Sequence, residues 1–235
     1  MKFIGRGLFS LIKAVSFLLT GLAILIISGC GTVNGVKTTL MTDGETVFKR
    51  IAVVPFQIMA ADDESVKVVR CPLCGSINRT DRPVKGSEKK VEELFYKQIS
   101  GSNRFELIPR ERVAGIYERI AADSLKMTLP EILKSTGREL EADGIVVGYL
   151  YRYRQRKGLP YSVEQPASVA FEIHLVRTND GVLVWKGSFD KTQTALMENL
   201  LQAVSFYRMH GQWVTAEVLT EEGIHQILET FPGLK

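Results

Sequence analysis

The ten residues Gly144 to Tyr153, written GIVVGYLYRY, decide the fold. This run of β-branched and aromatic residues reads as a long strand. Strict alternation places Ile145, Val147, Tyr149, Tyr151 and Tyr153 on one side of it. Downstream, Val169, Phe171, Ile173 and Leu175 alternate in a second strand, and Asn179-Asp180-Gly181 turns it into a third, Val182 to Phe189. Upstream, RIAVVPF (Arg50 to Phe56) is a short apolar run closed by Pro55, the pattern of a strand buried inside a sheet.

Helical spacing fills the intervals. Ser87 is placed to cap a helix carrying Val91, Leu94, Phe95 and Ile99, with Gly101 at its end. Phe105 to Ile108 reads as another short strand, and Val113, Ile116, Tyr117 and Ile120 mark a second helix. Thr128-Leu129-Pro130-Glu131 has capping-box spacing ahead of Ile132, Leu133, Thr136 and Leu140. From Thr194 to Phe231 the pattern is helical, interrupted near Gly211. The order is strand, helix, strand, helix, helix, then a three-strand meander and C-terminal helices. That is an α/β protein, a mixed β-sheet sandwiched by helices.

The first thirty residues set the address. Lys2, Arg6 and Lys13 form a positive leader with no acid before Cys30, and Ala14 to Ile27 is apolar apart from Ser16, Thr20 and Gly21. Ser28-Gly29 supplies small residues at a cleavage point, as in a secretory signal. The apolar core of about 14 residues is short for a spanning helix, which needs roughly 20, although an uncleaved anchor is the alternative reading. Ile-Ser-Gly-Cys resembles a bacterial lipobox. The resemblance implies a signal peptide over 1–29, removed to leave Cys30 as a lipidated first residue, with palmitate-type chains holding the protein to a membrane. Gly31 rather than Asp follows the cysteine, which in enteric bacteria favours the outer membrane, with the domain facing the periplasm.

Without the leader the formal charge falls from +4 by the three positives of Lys2, Arg6 and Lys13, to +1. A near-neutral mature chain gives no support for nucleic-acid binding. Roughly 205 residues remain, enough for one domain. Residues 30–49, rich in Gly and Thr, read as a lipidated tether. Residues 50–235 read as a single domain with a cysteine-containing insertion at 57–86.

Three segments, KRIAVVPF (Lys49 to Phe56), ADGIVVGYLYRY (Ala142 to Tyr153) and ASVAFEIHLVRTNDGVLVW (Ala167 to Trp185), carry a resemblance. In spacing and residue type they are similar to the lipoproteins related to the curli secretion channel. That group includes the lipoprotein activator of penicillin-binding proteins, and its domain resembles the amino-terminal domain of the Tol translocation protein. The resemblance covers about 140 residues and implies fold rather than activity. It implies a non-enzymatic envelope protein that binds an envelope protein or peptidoglycan, or assembles as a homo-oligomer. A secretion channel is the alternative. Channel members carry membrane-crossing hairpins. Here RYRQRKGLPYSVEQP places Arg152, Arg154, Arg156 and Lys157 where lipid-facing basic residues would cost about 2–4 kcal/mol each at mid-bilayer. TALMENLLQAVSFYRMHGQW keeps helical spacing at Leu196, Leu200, Ala203 and Val204.

CPLCG (Cys71 to Gly75) is the sharpest local signal. It is written like a zinc knuckle, whose turn brings two thiolates onto one ion, but a structural zinc site takes four ligands. His174, His210 and His225 are available without diagnostic spacing. Other readings are a short-range disulfide in an oxidising compartment, or a periplasmic thiol-redox pair resembling glutaredoxin. No resident cofactor is expected beyond the lipid on Cys30 and this zinc alternative. Arg152, Arg154, Arg156 and Lys157 could hold acidic partners such as lipid A phosphates or peptidoglycan carboxylates, or simply be a solvated hairpin end. Tyr149, Tyr151 and Tyr153 could be a partner-binding face or a helix-covered sheet surface. His174, with no Ser or Cys partner at recognisable spacing, reads as structural. No catalytic constellation stands out.

Overall fold

The structure is a computed structural model and describes residues 35–41, 47–123, 127–159, 162–193 and 213–234. Cys30, the leader, His210 and the Leu196–Val204 stretch lie outside the described residues.

A seven-stranded mixed sheet has the order β1-β11-β10-β7-β2-β6, with β3 also pairing β7. Its members are β1 (Gly35–Leu40), β2 (Arg50–Val53), β3 (Gln57–Ile58), β6 (Glu106–Leu107), β7 (Gly144–Arg154), β10 (Ser168–Arg177) and β11 (Leu183–Thr192). Two small two-stranded hairpins, β4 (Val68–Arg70) with β5 (Ile77–Arg79) and β8 (Lys157–Leu159) with β9 (Ser162–Gln165), are separate from it in hydrogen bonding. Four helices are described: α1 (Ser87–Ser100), α2 (Arg110–Asp123), α3 (Leu129–Leu140) and α4 (Ala216–Leu228).

The sheet separates two cores. On one face, Val146, Leu150, Phe171, Ile173 and Trp185 pack under Val91, Phe95 and Ile99 of α1 and Leu219, Ile224 and Ile227 of α4. On the other, Ala52, Ile145, Val147, Tyr149 and Tyr151 pack under Val113 and Tyr117 of α2 and Leu133 and Leu140 of α3. Cys71 joins this second core, flanked by Val69, Leu73 and Cys74, so the β4–β5 hairpin covers the part of the face that the helices leave. Local signals hold where expected. Thr128 N–H donates to Glu131 Oε2 at 2.7 Å in the capping box, and Gly181 takes φ 76° in the β10–β11 turn. Helix α1 starts at Ser87, but its cap is Gly86 at φ 96°, while the Ser87 hydroxyl donates to the Val84 carbonyl.

Three expectations change. Gly35–Leu40 is not tether: it pairs antiparallel with β11 along its length, satisfying that strand's outer edge, and Val36 packs on the core. The tyrosine stripe splits. The β7–β10 register shifts between Ala170 and Phe171, leaving Tyr151 outside the paired positions. Such a bulge reverses which face later residues take, so Tyr149 and Tyr151 lie in one core and Tyr153 in the other. All three are buried, and the stripe is sheet interior rather than a partner-binding face. The 57–86 insertion also contributes β3 to the main sheet. The β8–β9 strands are three and four residues long, against about 9–11 for a membrane-crossing strand. Among the described residues, no helix is long and apolar enough to cross a membrane.

Gly148 supplies the fold's sharpest packing test. A Cβ there would fall 2.4 Å from the buried Phe56 ring, whereas one on Gly115 of α2 meets nothing within 4 Å. Gly148→Ala is expected to destabilise the chain by about 1–3 kcal/mol through overpacking. Gly115→Ala should be neutral or gain up to about 1 kcal/mol. Urea denaturation of both variants checks this, and equal effects would contradict the packing described.

Candidate metal centre and a basic cleft

Alternation along β10 builds the polar cluster. The odd residues Val169, Phe171, Ile173 and Leu175 enter the α1/α4 core, so Glu172 and His174 point to the opposite face. Lys186 on β11 pairs with His174, and Tyr149 on β7 with Glu172. Above them, the β4–β5 turn places both cysteines. Cys71 N–H donates to the Ser76 carbonyl at 2.8 Å and Gly75 N–H to the Cys71 carbonyl at 3.0 Å, with Gly75 in the left-handed region at φ 72°. The N–H groups of Leu73 and Cys74 donate to the Cys71 sulfur, and that of Ser76 to the Cys74 sulfur.

His174, read from the sequence as structural with no cysteine at a recognisable spacing, has two brought to it by the fold: its Nε2 lies 3.7 Å from Cys71 Sγ, 3.4 Å from Cys74 Sγ and 3.8 Å from Glu172 Oε2. Cys74 Sγ lies 3.8 Å from the same carboxylate oxygen. One donor atom from each of Cys71, Cys74, Glu172 and His174 lies within 4.8 Å of every other. Both cysteines are free thiols. Glu172 is fixed on every side: it accepts from Lys186 Nζ at 2.6 Å, Tyr151 hydroxyl at 2.8 Å and Ser76 hydroxyl at 2.9 Å. Lys186 also donates to Cys74 Sγ at 3.3 Å.

Electrostatics divide the thiols. Burial pushes Cys71 up to about 11, beyond what its backbone donors offset. Burial acts on Cys74 in the same direction, but hydrogen bonds with His174 and Ser76 outweigh it and hold that thiol down to about 6. For Glu172, burial opposes ionisation, and the Lys186 ion pair overcomes it to keep the carboxyl below its usual range. The same pair raises Lys186 against its own burial. The cluster therefore offers two sulfurs, one imidazole nitrogen and one carboxylate oxygen at a single point. That donor set can hold an ion, and its thiols could also couple oxidatively.

A basic cleft of about 580 Å³ opens where α1 begins, at the end of β7. Arg82, Lys85, Lys90, Arg154 and Lys157 line it, with Asp81 the acid among its lining residues. The four cations expected as a tip separate. Arg152 is ion-paired with Asp190 and donates to Ser168 at 2.6 Å, and Arg156 donates to the Trp213 carbonyl. Arg154 sits 3.8 Å from Asp81 on the cleft wall, and Lys157 is exposed beside it. The sequence reading included Arg154 and Lys157 but missed Lys85 and Lys90, which arrive from the α1 entry through tertiary folding. It also missed Glu172 and Lys186. Their only sequence signal is polarity on the inward side of strands that elsewhere alternate cleanly.

No protein-family model matches the chain, and no curated protein matches it. Solved structures do. The PelC dodecamer from Paraburkholderia phytofirmans is 10% identical, with 84% of this chain and 98% of that one covered at a TM-score of 0.47. The LpoB C-terminal domain from Salmonella enterica is 16% identical, with 64% and 87% covered at 0.37. Lipoprotein GNA1162 from Neisseria meningitidis is 12% identical, with 69% and 99% covered at 0.38.

Lys186 tests the cluster's energetics. Its loss leaves Glu172, whose side chain is 2% exposed, as a buried charge without its ion-pair partner. Lys186→Met is expected to destabilise the chain in chelator-containing buffer by about 3–5 kcal/mol. Glu172→Gln/Lys186→Met together should recover much of that loss. A single-variant effect below about 1 kcal/mol in urea unfolding contradicts the buried ion pair.

Proposed function

We propose that this chain is a lipid-anchored, non-catalytic cell-envelope protein, held by acyl chains on Cys30 and facing the periplasm. Its α/β domain binds acidic groups of a neighbouring envelope component through the cleft at the start of α1. The single observation that carries the binding role is that cleft, lined by five cations and one acid. Arg guanidinium forks and Lys ammonium groups both suit carboxylate and phosphate oxygens. Lys85, Lys90 and Lys157 have no ion-pair partner among the described residues. Their positive charge faces open water, where it attracts anions over a Debye length of about 8 Å at physiological salt.

The lipobox supports the address, and the cleft sits on the folded domain that follows it. A lipid-tethered domain need bind only weakly, because the anchor already concentrates it beside the wall and the membrane surface. The short β8–β9 hairpin supports a binding domain over a pore.

The test uses the full chain in detergent with two acidic targets, peptidoglycan sacculi and vesicles containing lipid A. Each lysine near an anionic surface contributes about 1 kcal/mol. Lys85→Gln/Lys90→Gln/Lys157→Gln should therefore weaken cosedimentation by roughly 100-fold, and wild-type binding should fall as salt rises. Failure of wild type to bind either target at low salt, or retention by the triple variant, contradicts the reading. Cys30→Ser should separate the protein from membranes while leaving cleft binding in solution intact.

A further inference from the structure

Glu172 and His174 stand at 1% and 0% exposure beside the apolar cluster of Val147, Tyr149, Ala170 and Val176. Burial of such groups is costly unless each is paired or binds an ion. Their separation, 3.8 Å from His174 Nε2 to Glu172 Oε2, lies outside hydrogen-bond reach. It does fit the edge of a coordination tetrahedron. With zinc bonds of about 2.3 Å to sulfur and about 2.0–2.1 Å to nitrogen or oxygen, tetrahedral edges run roughly 3.4–3.8 Å. Four of the six separations among these donors are 3.4, 3.7, 3.8 and 3.8 Å, and all six lie within 4.8 Å.

We propose that Cys71, Cys74, Glu172 and His174 form a closed four-ligand site for a zinc-class divalent cation, which clamps the β4–β5 hairpin onto the sheet. The hairpin has the form such a site uses: the tight turn closed by the Cys71 N–H to Ser76 carbonyl and Gly75 N–H to Cys71 carbonyl bonds holds both sulfurs against His174. His174 Nδ1 is buried without a hydrogen-bond partner. A proton there leaves the Nε2 lone pair facing the thiols. Outside the ligands, Tyr151 and Ser76 hold the carboxylate oxygens in place. Lys186 balances the charge: two thiolates and a carboxylate bring three negatives, the ion two positives and Lys186 the third. Two sulfurs with an imidazole select a borderline cation over calcium or magnesium. Four protein ligands leave no open position for substrate, so the ion is structural. This inference is independent of the cleft, and neither fails with the other.

The experiment takes the full chain in detergent, reduced, stripped with chelator and titrated with zinc(II) and cobalt(II). One ion per chain should survive dialysis. Cobalt should give intense tetrahedral ligand-field bands with a thiolate-to-cobalt charge-transfer band. Tyr151→Phe, outside the ligand set, should keep the one-to-one stoichiometry and weaken binding about 10–100-fold. Cys74→Ser and His174→Ala should weaken it further. Circular dichroism monitors folding, and the wild-type titration stands without any variant. The proposal is overturned if reduced, folded wild type takes up neither metal. It is equally overturned if the cobalt spectrum lacks the thiolate band, or if Cys74→Ser binds as tightly as wild type.

Discussion

Strand β10 is buried on both faces, and much of the structure answers to that constraint. Nine of its ten residues are buried, because α1 and α4 cover one side while α2, α3 and the β4–β5 hairpin cover the other. Apolar Val169, Phe171, Ile173 and Leu175 meet the condition directly. Glu172 and His174 do not, and the chain compensates locally. Lys186 arrives from the neighbouring strand, Tyr151 from the other side, and Ser76 with the two cysteines from above. A polar cluster of this kind rigidifies its surroundings when satisfied and is a liability when it is not.

The same constraint explains what could be read from the sequence. Strand and helix order was legible because long apolar segments such as Gly144 to Tyr153 carry their period openly, and Thr128 and Gly181 mark their boundaries. What failed was non-local. Gly35–Leu40 has a tether's composition and becomes a strand only because the edge of β11 needs a partner. Tyr153 leaves its stripe because a bulge near Tyr151, invisible to alternation, reverses the pleat.

The site followed the same division. CPLCG was visible as a thiol pair because its spacing is local. Its partners stand about one hundred positions away on β10, with separations of 98 from Cys74 to Glu172 and 103 from Cys71 to His174, and no short-range pattern joins them. Arg152 and Arg156 looked like free surface cations in sequence, yet the fold engages one with Asp190 and the other with a backbone carbonyl. The α1 entry instead brings Lys85 and Lys90 to Arg154 and Lys157. The molecule thus presents one inward polar centre, which fixes an insertion to the sheet, and one outward basic cleft.

The most direct measurement is X-ray absorption fine structure at the zinc edge of the zinc-loaded full chain. The expected first shell is two sulfurs at about 2.3 Å and two nitrogen or oxygen atoms at about 2.0–2.1 Å. A shell without sulfur, or six light-atom ligands, would contradict it.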